Sequence, residues 1–433
     1  MMKFSEFSMV KKGLLVIALL CAILPGIYGQ TPYRNKAFKE TIRTVQVYPL
    51  GDPMGKPIIG LNSGEVLEFH FDELEGDLET YNYGAIHCSR DWFKSDIETT
   101  EYLQGFPSQR IDNIENSFNT MYEFVHYKFI FPNDMSKPRY SGNYLMVVST
   151  NQDLSVEEDW ILTYRFVVYE TLVNVVPTVK PCSVIADRFK KQQVDFTVYH
   201  KDFRIFDPMR DVSATIVQNL DWNMAIAHLK PVFIKMDELT FDYSSGENAF
   251  MAGSEWRHFE MKNVRFASSE VETILYESDG YNVYLRPDLP QGNRAYSTQT
   301  DINGNFFIHN DQGYEADLEA EYVWVHFFME MPETVEGEVR IEGRFTDFMT
   351  QPIVCKYDAT KKGYTAAVLL KQGYYNYRFV IYDNYRKESN MAYTEGSDIQ
   401  TENEYEVLVY MTDRNLDCDR IIGYRAINSV NRR

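Results

Sequence analysis

Short aromatic and β-branched runs, each closed by a polar turn, recur from about residue 41 to residue 410, and no long amphipathic helix interrupts them. Val66-Leu67-Glu68-Phe69-His70-Phe71, Val339-Arg340-Ile341-Glu342-Gly343-Arg344-Phe345 and Glu404-Tyr405-Glu406-Val407-Leu408-Val409-Tyr410 are examples. Alternation at a period of two, in residues that suit a pleated and half-buried surface, reads as strand. Many short strands at close spacing predict sandwiches. The expected fold is all-β, with several antiparallel, immunoglobulin-like β-sandwich domains in tandem.

The first 29 residues stand apart. Lys11 and Lys12 precede a short apolar run over residues 13–24, ended by Pro25-Gly26. This is the plan of a secretory signal peptide, and the run is too short to span a bilayer comfortably. Leu20 before Cys21 disfavours a lipoprotein signal. Cleavage after Gly29 removes Lys3, Lys11, Lys12 and Glu6, so a chain already at −20 becomes more acidic still. That balance argues against nucleic acid and anionic membrane surfaces as partners. No later apolar run reaches the roughly 18 residues of a transmembrane helix. Charges on both faces of runs such as residues 338–342 argue against a transmembrane barrel. The sequence therefore predicts an exported chain with no direct membrane insertion.

Turn clusters and composition divide the remainder into an N-terminal sandwich at 30–177, a middle β domain at 178–312 and a C-terminal sandwich at 313–433. The runs at 364–370 and 374–382, joined through Lys371-Gln372-Gly373, read as a hairpin. Asp301-Ile302-Asn303-Gly304-Asn305 lacks the glycine and glutamate spacing of a calcium loop and reads as an Asn-Gly turn. Cys88, Cys182, Cys355 and Cys418 lack metal-ligand spacing and are expected as free, buried thiols.

Catalytic motifs are missing. The eight histidines form no H-E-x-x-H pair, and neither a nucleophile elbow nor a Walker loop is present. His70 and His326 lie inside strand patterns and are expected to be structural. With 63 Asp and Glu residues, a pair such as Glu157-Glu158 carries no special meaning for glycoside chemistry. The expectation is no enzyme, no cofactor and no metal.

The most informative stretch is 76–150, where strand-like runs at 81–87, 122–131 and 144–149 flank a polar connection of about thirty residues, well beyond the usual loop. Its aromatic content argues against disorder. Trp92, Tyr102, Phe106, Arg110 and Phe118 from this connection are the candidate partner-binding residues, since aromatic side chains and Arg are favoured at interfaces.

Several segments, in order, resemble one family. They include Thr44-Val45-Gln46-Val47-Tyr48-Pro49, Ile86-His87-Cys88-Ser89-Arg90-Asp91-Trp92, Glu101-Tyr102-Leu103-Gln104-Gly105-Phe106, Ser141-Gly142-Asn143-Tyr144-Leu145 and Leu370-Lys371-Gln372-Gly373-Tyr374-Tyr375-Asn376-Tyr377. The combination is similar to the plug protein family of the type IX secretion system. The resemblance implies a periplasmic, non-enzymatic protein that binds the periplasmic mouth of the outer-membrane translocon barrel and closes the pore while no substrate is engaged. It brings no contact residues with it. The alternative reading is a periplasmic or surface carbohydrate-binding protein that uses Trp and Tyr platforms.

Overall fold

Along Tyr322–Glu330, Val323, Val325, Phe327 and Met329 point into a core while Trp324, His326 and Phe328 face the other way. This is the alternation of a strand covered mainly on one face. A computed structural model describes residues 33–74, 78–347 and 352–430, and the same logic runs through it as antiparallel sheets packed face to face. The fold is all-β, built as tandem sandwiches. The α-helices among the described residues are single turns: Thr99–Tyr102, Pro208–Asp211 and Ala316–Glu319. None is long and apolar enough to cross a membrane. The expected signal peptide lies outside the described residues.

The first sandwich pairs two sheets. One runs in the order Ile42–Pro49, Leu67–Leu74, Phe124–Phe131, Asn113–Asn116. The other is centred on Asn82–Cys88, Gly142–Ser149 and Trp160–Tyr169. Phe69, Phe71, Tyr127, Tyr144 and Phe166 fill the space between them. Gly142–Ser149 is buried at every position, because it has apolar partners on both faces. Tyr144, Met146 and Val148 enter the first core, while Leu145 and Val147 meet Val217, Leu408, Tyr410 and Ile421 in a second seam.

That seam joins the first sandwich to the second. The second faces Asn174–Pro181, Lys191–Tyr199 and Glu238–Phe241 against Val212–Gln218, Glu404–Asp413 and Cys418–Asn428. The third faces Arg257–Glu260, Gly373–Asp383 and Glu338–Glu342 against Gly280–Leu285, Tyr322–Glu330 and Gly363–Lys371.

This pairing departs from the linear division read from the sequence. Arg257–Glu260 and Phe306–Ile308, expected in the middle domain, pair with Gly373–Asp383 of the third sandwich. Glu404–Asp413, expected to finish the C-terminal sandwich, pairs with Val212–Gln218 of the second. The chain thus leaves the second sandwich after Ala249–Met251, builds the third, and returns. Nor do residues 364–382 form a hairpin: Gly363–Lys371 and Gly373–Asp383 lie in different sheets, and the chain steps across the core at Gln372. Turn-like residues mark a change of direction but do not say which strand comes alongside. The Asn-Gly turn is present, with Asn303 at φ 53° and Gly304 at φ 79° and the Asn305 amide donating to the Ile302 carbonyl. The four cysteines are free and buried, and burial pushes the Cys88 and Cys355 thiols up to about 12.

Candidate partner-binding surfaces

The long connection at 89–123 is woven into the first sandwich more than it stands off it. Gln109–Arg110 extends one sheet and Asn113–Asn116 edges the other. Ile97, Tyr102, Leu103 and Ile111 belong to the core between them. Trp92 is buried in the seam, edge-on to Trp222 at 4.8 Å between ring centroids and with the Arg165 guanidinium 4.6 Å over its ring. Tyr102 is buried against His87 and Tyr144, its hydroxyl paired with Thr99 Oγ1 at 3.2 Å. Both were expected as contact residues, and the structure places both inside, where apolar area is worth more than at the surface. The other three stay outside. Phe106 is 58% exposed, Phe118 62%, and the exposed Arg110 side chain lies 3.8 Å from the carboxylate of the exposed Asp112.

Phe118 sits where the first sandwich grips the third. Its amide donates to the Leu318 carbonyl at 3.0 Å, and the amides of Met121 and Tyr122 donate to the Glu321 carboxylate at 2.6 and 3.0 Å. Deeper in this junction lies a polar cluster. His70 and Asp72, two apart on Leu67–Leu74, share the strand face opposite the core, and His126 stands directly across from Asp72 on Phe124–Phe131. His126 Nδ1 donates to Asp72 Oδ1 at 2.7 Å. Lys371 Nζ and the Tyr322 hydroxyl of the third sandwich each donate to Asp72 Oδ2 at 2.7 Å. Burial alone would raise the Asp72 carboxyl, but Lys371 and His126 together hold it below the ordinary carboxylate range. Burial pushes His70 down to about 4, so its imidazole is neutral at pH 7. His70 is thus held by the fold, as expected, through Tyr48 at 2.9 Å and His126 at 3.2 Å. Its neighbourhood with Asp317 joins distant segments. The only trace in the sequence is the H-x-D spacing of residues 70–72.

Beside this cluster, a groove of about 1150 Å³ opens between the two sandwiches. Its floor is the outward face of the third sandwich, with Tyr284, Trp324, His326 and Phe328, and its wall includes Arg43 and Leu74 of the first. Tyr284 and His326 stack at 4.2 Å, and His326 Nε2 donates to Asn282 Oδ1 at 2.6 Å. The Trp324 indole N–H has no hydrogen-bond partner among the described residues.

Residues 42–170 match the family model described as type 9 secretion system plug protein, 1st domain. The matched span opens with Ile42–Pro49 and closes one residue after Trp160–Tyr169, so it is the first sandwich. A crystal structure of a hypothetical protein from Parabacteroides merdae shares 30% identity with a TM-score of 0.87, covering 92% of this chain and 100% of that one. The chain belongs to the type 9 secretion system plug protein family. No curated protein matches it. Family membership gives this plug-family chain a role related to type IX secretion and an association with a component of that system. Because the solved relative follows nearly the whole chain, the arrangement of sandwiches beyond the matched first domain is a shared feature as well.

Proposed function

We propose that the chain is a non-enzymatic stopper that docks on the periplasmic opening of the type IX outer-membrane translocon barrel and closes it when no substrate is engaged. The match of the first sandwich to the plug family carries this reading. The fold is suited to it. A buried apolar seam couples the first sandwich to the second, and buried polar contacts couple it to the third. Such a body presents one fixed outline to a wide aqueous pore. The acidic balance of −20 suits a protein that stays dissolved between docking events.

The test is gentle purification of a C-terminally tagged chain from outer membranes. A barrel protein of very high mass is expected to accompany it, and to be lost on substituting Phe106, Arg110 and Phe118. A chain that purifies alone from cells with intact secretion overturns the reading. The aromatic floor of the groove favours one second reading, glycan binding. Titration with soluble glycans, followed by tryptophan fluorescence in the parent and in Trp324→Ala, separates the two.

A further inference from the structure

We propose that His70, His126 and Asp317 form a site for a divalent transition-metal ion, Zn2+ by ligand type, that clasps the first sandwich to the third. The proposal is independent of the plug reading.

Three ligand atoms converge. His70 Nδ1 and His126 Nε2 lie 3.2 Å apart, and Asp317 Oδ2 lies 3.7 Å from the first and 3.9 Å from the second. An ion equidistant from all three would sit about 2.1 Å from each, the radius of the circle through a triangle of those sides and the distance at which Zn2+ binds imidazole and carboxylate. Two imidazoles and one carboxylate suit Zn2+ and exclude a site dedicated to Ca2+ or Mg2+, which prefer oxygen.

The surrounding shell is already in place. The nitrogen of each histidine that faces away from the ion has a partner: His126 Nδ1 donates to Asp72 Oδ1 at 2.7 Å, and His70 Nε2 lies 2.9 Å from the Tyr48 hydroxyl. Groups of this kind fix ring orientation and ligand basicity at metal sites. Asp72 is itself fixed by Lys371 and Tyr322. Charge is matched around the cluster, with Lys371 on Asp72 and Lys128 on Glu68 at 2.7 Å. The Asp317 carboxylate faces the two imidazoles.

Without metal, the 3.2 Å contact needs one proton between the two ring nitrogens. The ion takes that proton's place, and His70 then carries its hydrogen on Nε2, directed at the Tyr48 oxygen. Both histidines are buried, whereas the Asp317 side chain is 34% exposed, so an ion would reach the site from that side and take its fourth ligand from water there. Because His70 and His126 belong to the first sandwich and Asp317 to the turn Ala316–Glu319, the ion would cross-link the two bodies.

The test uses the untagged full chain, stripped of metal and titrated with Zn2+ by calorimetry and with Co2+ by visible absorption. One ion per chain, Co2+ bands of a four-coordinate N/O site and a rise in thermal midpoint with Zn2+ are expected. Asp317→Asn takes the charge from the ligand on a half-exposed turn while keeping its size, so it retains the fold, and it is expected to weaken binding at least about tenfold. His126→Asn is expected to abolish it. Absence of saturable binding, or an affinity unchanged in Asp317→Asn, overturns the proposal.

Discussion

Asp72 Oδ2 and Lys371 Nζ meet at 2.7 Å, although 299 residues separate them in the chain. Both side chains are buried, and the pair ties a strand of the first sandwich to one of the third. Removing one partner strands a charge where water cannot reach it. Lys371→Met is therefore expected to cost about 3–5 kcal/mol, and the double variant with Asp72→Asn less than the sum of the two. Denaturant unfolding of the four proteins checks this; a double-variant cost equal to the sum of the two single costs would show that the pair does not act as one.

Leu145 and Leu408 face each other's sheets across the seam between the first and second sandwiches, both fully buried. Leu145→Ala and Leu408→Ala should each cost about 2–5 kcal/mol. Limited proteolysis should also detect cleavage between the two bodies earlier than in the parent. A loss below about 1 kcal/mol would mean that the seam relaxes around the cavity.

The five aromatic and basic candidates of the long connection should divide by burial. Trp92→Ala, in the seam, is expected to cost about 3–5 kcal/mol. Phe106→Ser and Phe118→Ser, on exposed side chains, should leave stability within about 0.5 kcal/mol. Thermal unfolding gives the comparison, and co-purification of the secretion partner gives the functional half: substitutions at the exposed Phe106, Arg110 and Phe118 are expected to lower it without unfolding the chain.

Gly105 holds φ at +102°, and a Cβ there would lie 1.9 Å from the Met135 carbonyl oxygen. Leu103–Gly105 pairs with Ser136–Pro138 at this point, so the carbonyl cannot easily retreat. Gly105→Ala is expected to cost more than about 1 kcal/mol, read from the urea midpoint.

His87 is buried, with Nδ1 2.8 Å from Ser95 Oγ and Nε2 3.3 Å from the Ser141 carbonyl. Burial pushes its pKa down to about 4, against an ordinary value of 6.5. Between those values the unfolded chain takes up a proton that the folded chain refuses. Stability is expected to fall as the pH drops from about 6.5 to about 4, and this contribution levels off below that. A His87→Gln variant should show a flatter profile over that window; parallel profiles would assign the loss to other groups.

The sequence alone determined the local grammar. Alternation at a period of two gave the strands at Asn82–Cys88, Phe124–Phe131 and Gly142–Ser149 to within a residue or two. The φ > 0 preference of Asn and Gly gave the turn at Asn303–Gly304, and an apolar stripe on strand after strand required sandwiches. The ordered segments also pointed to the plug family. Tertiary structure alone decided which strands meet. An apolar stripe says that a face must be covered, not by what, so nothing local foretold that Glu404–Asp413 returns to Val212–Gln218. The same reason hid the fate of the long connection, because Trp92 and Tyr102 look alike with Phe106 and Phe118 until packing buries the first in the seam and the second in the core of the first sandwich. It also hid the cluster of His70, His126 and Asp317, for side chains on distant segments acquire a shared chemistry only once packing excludes the water between them.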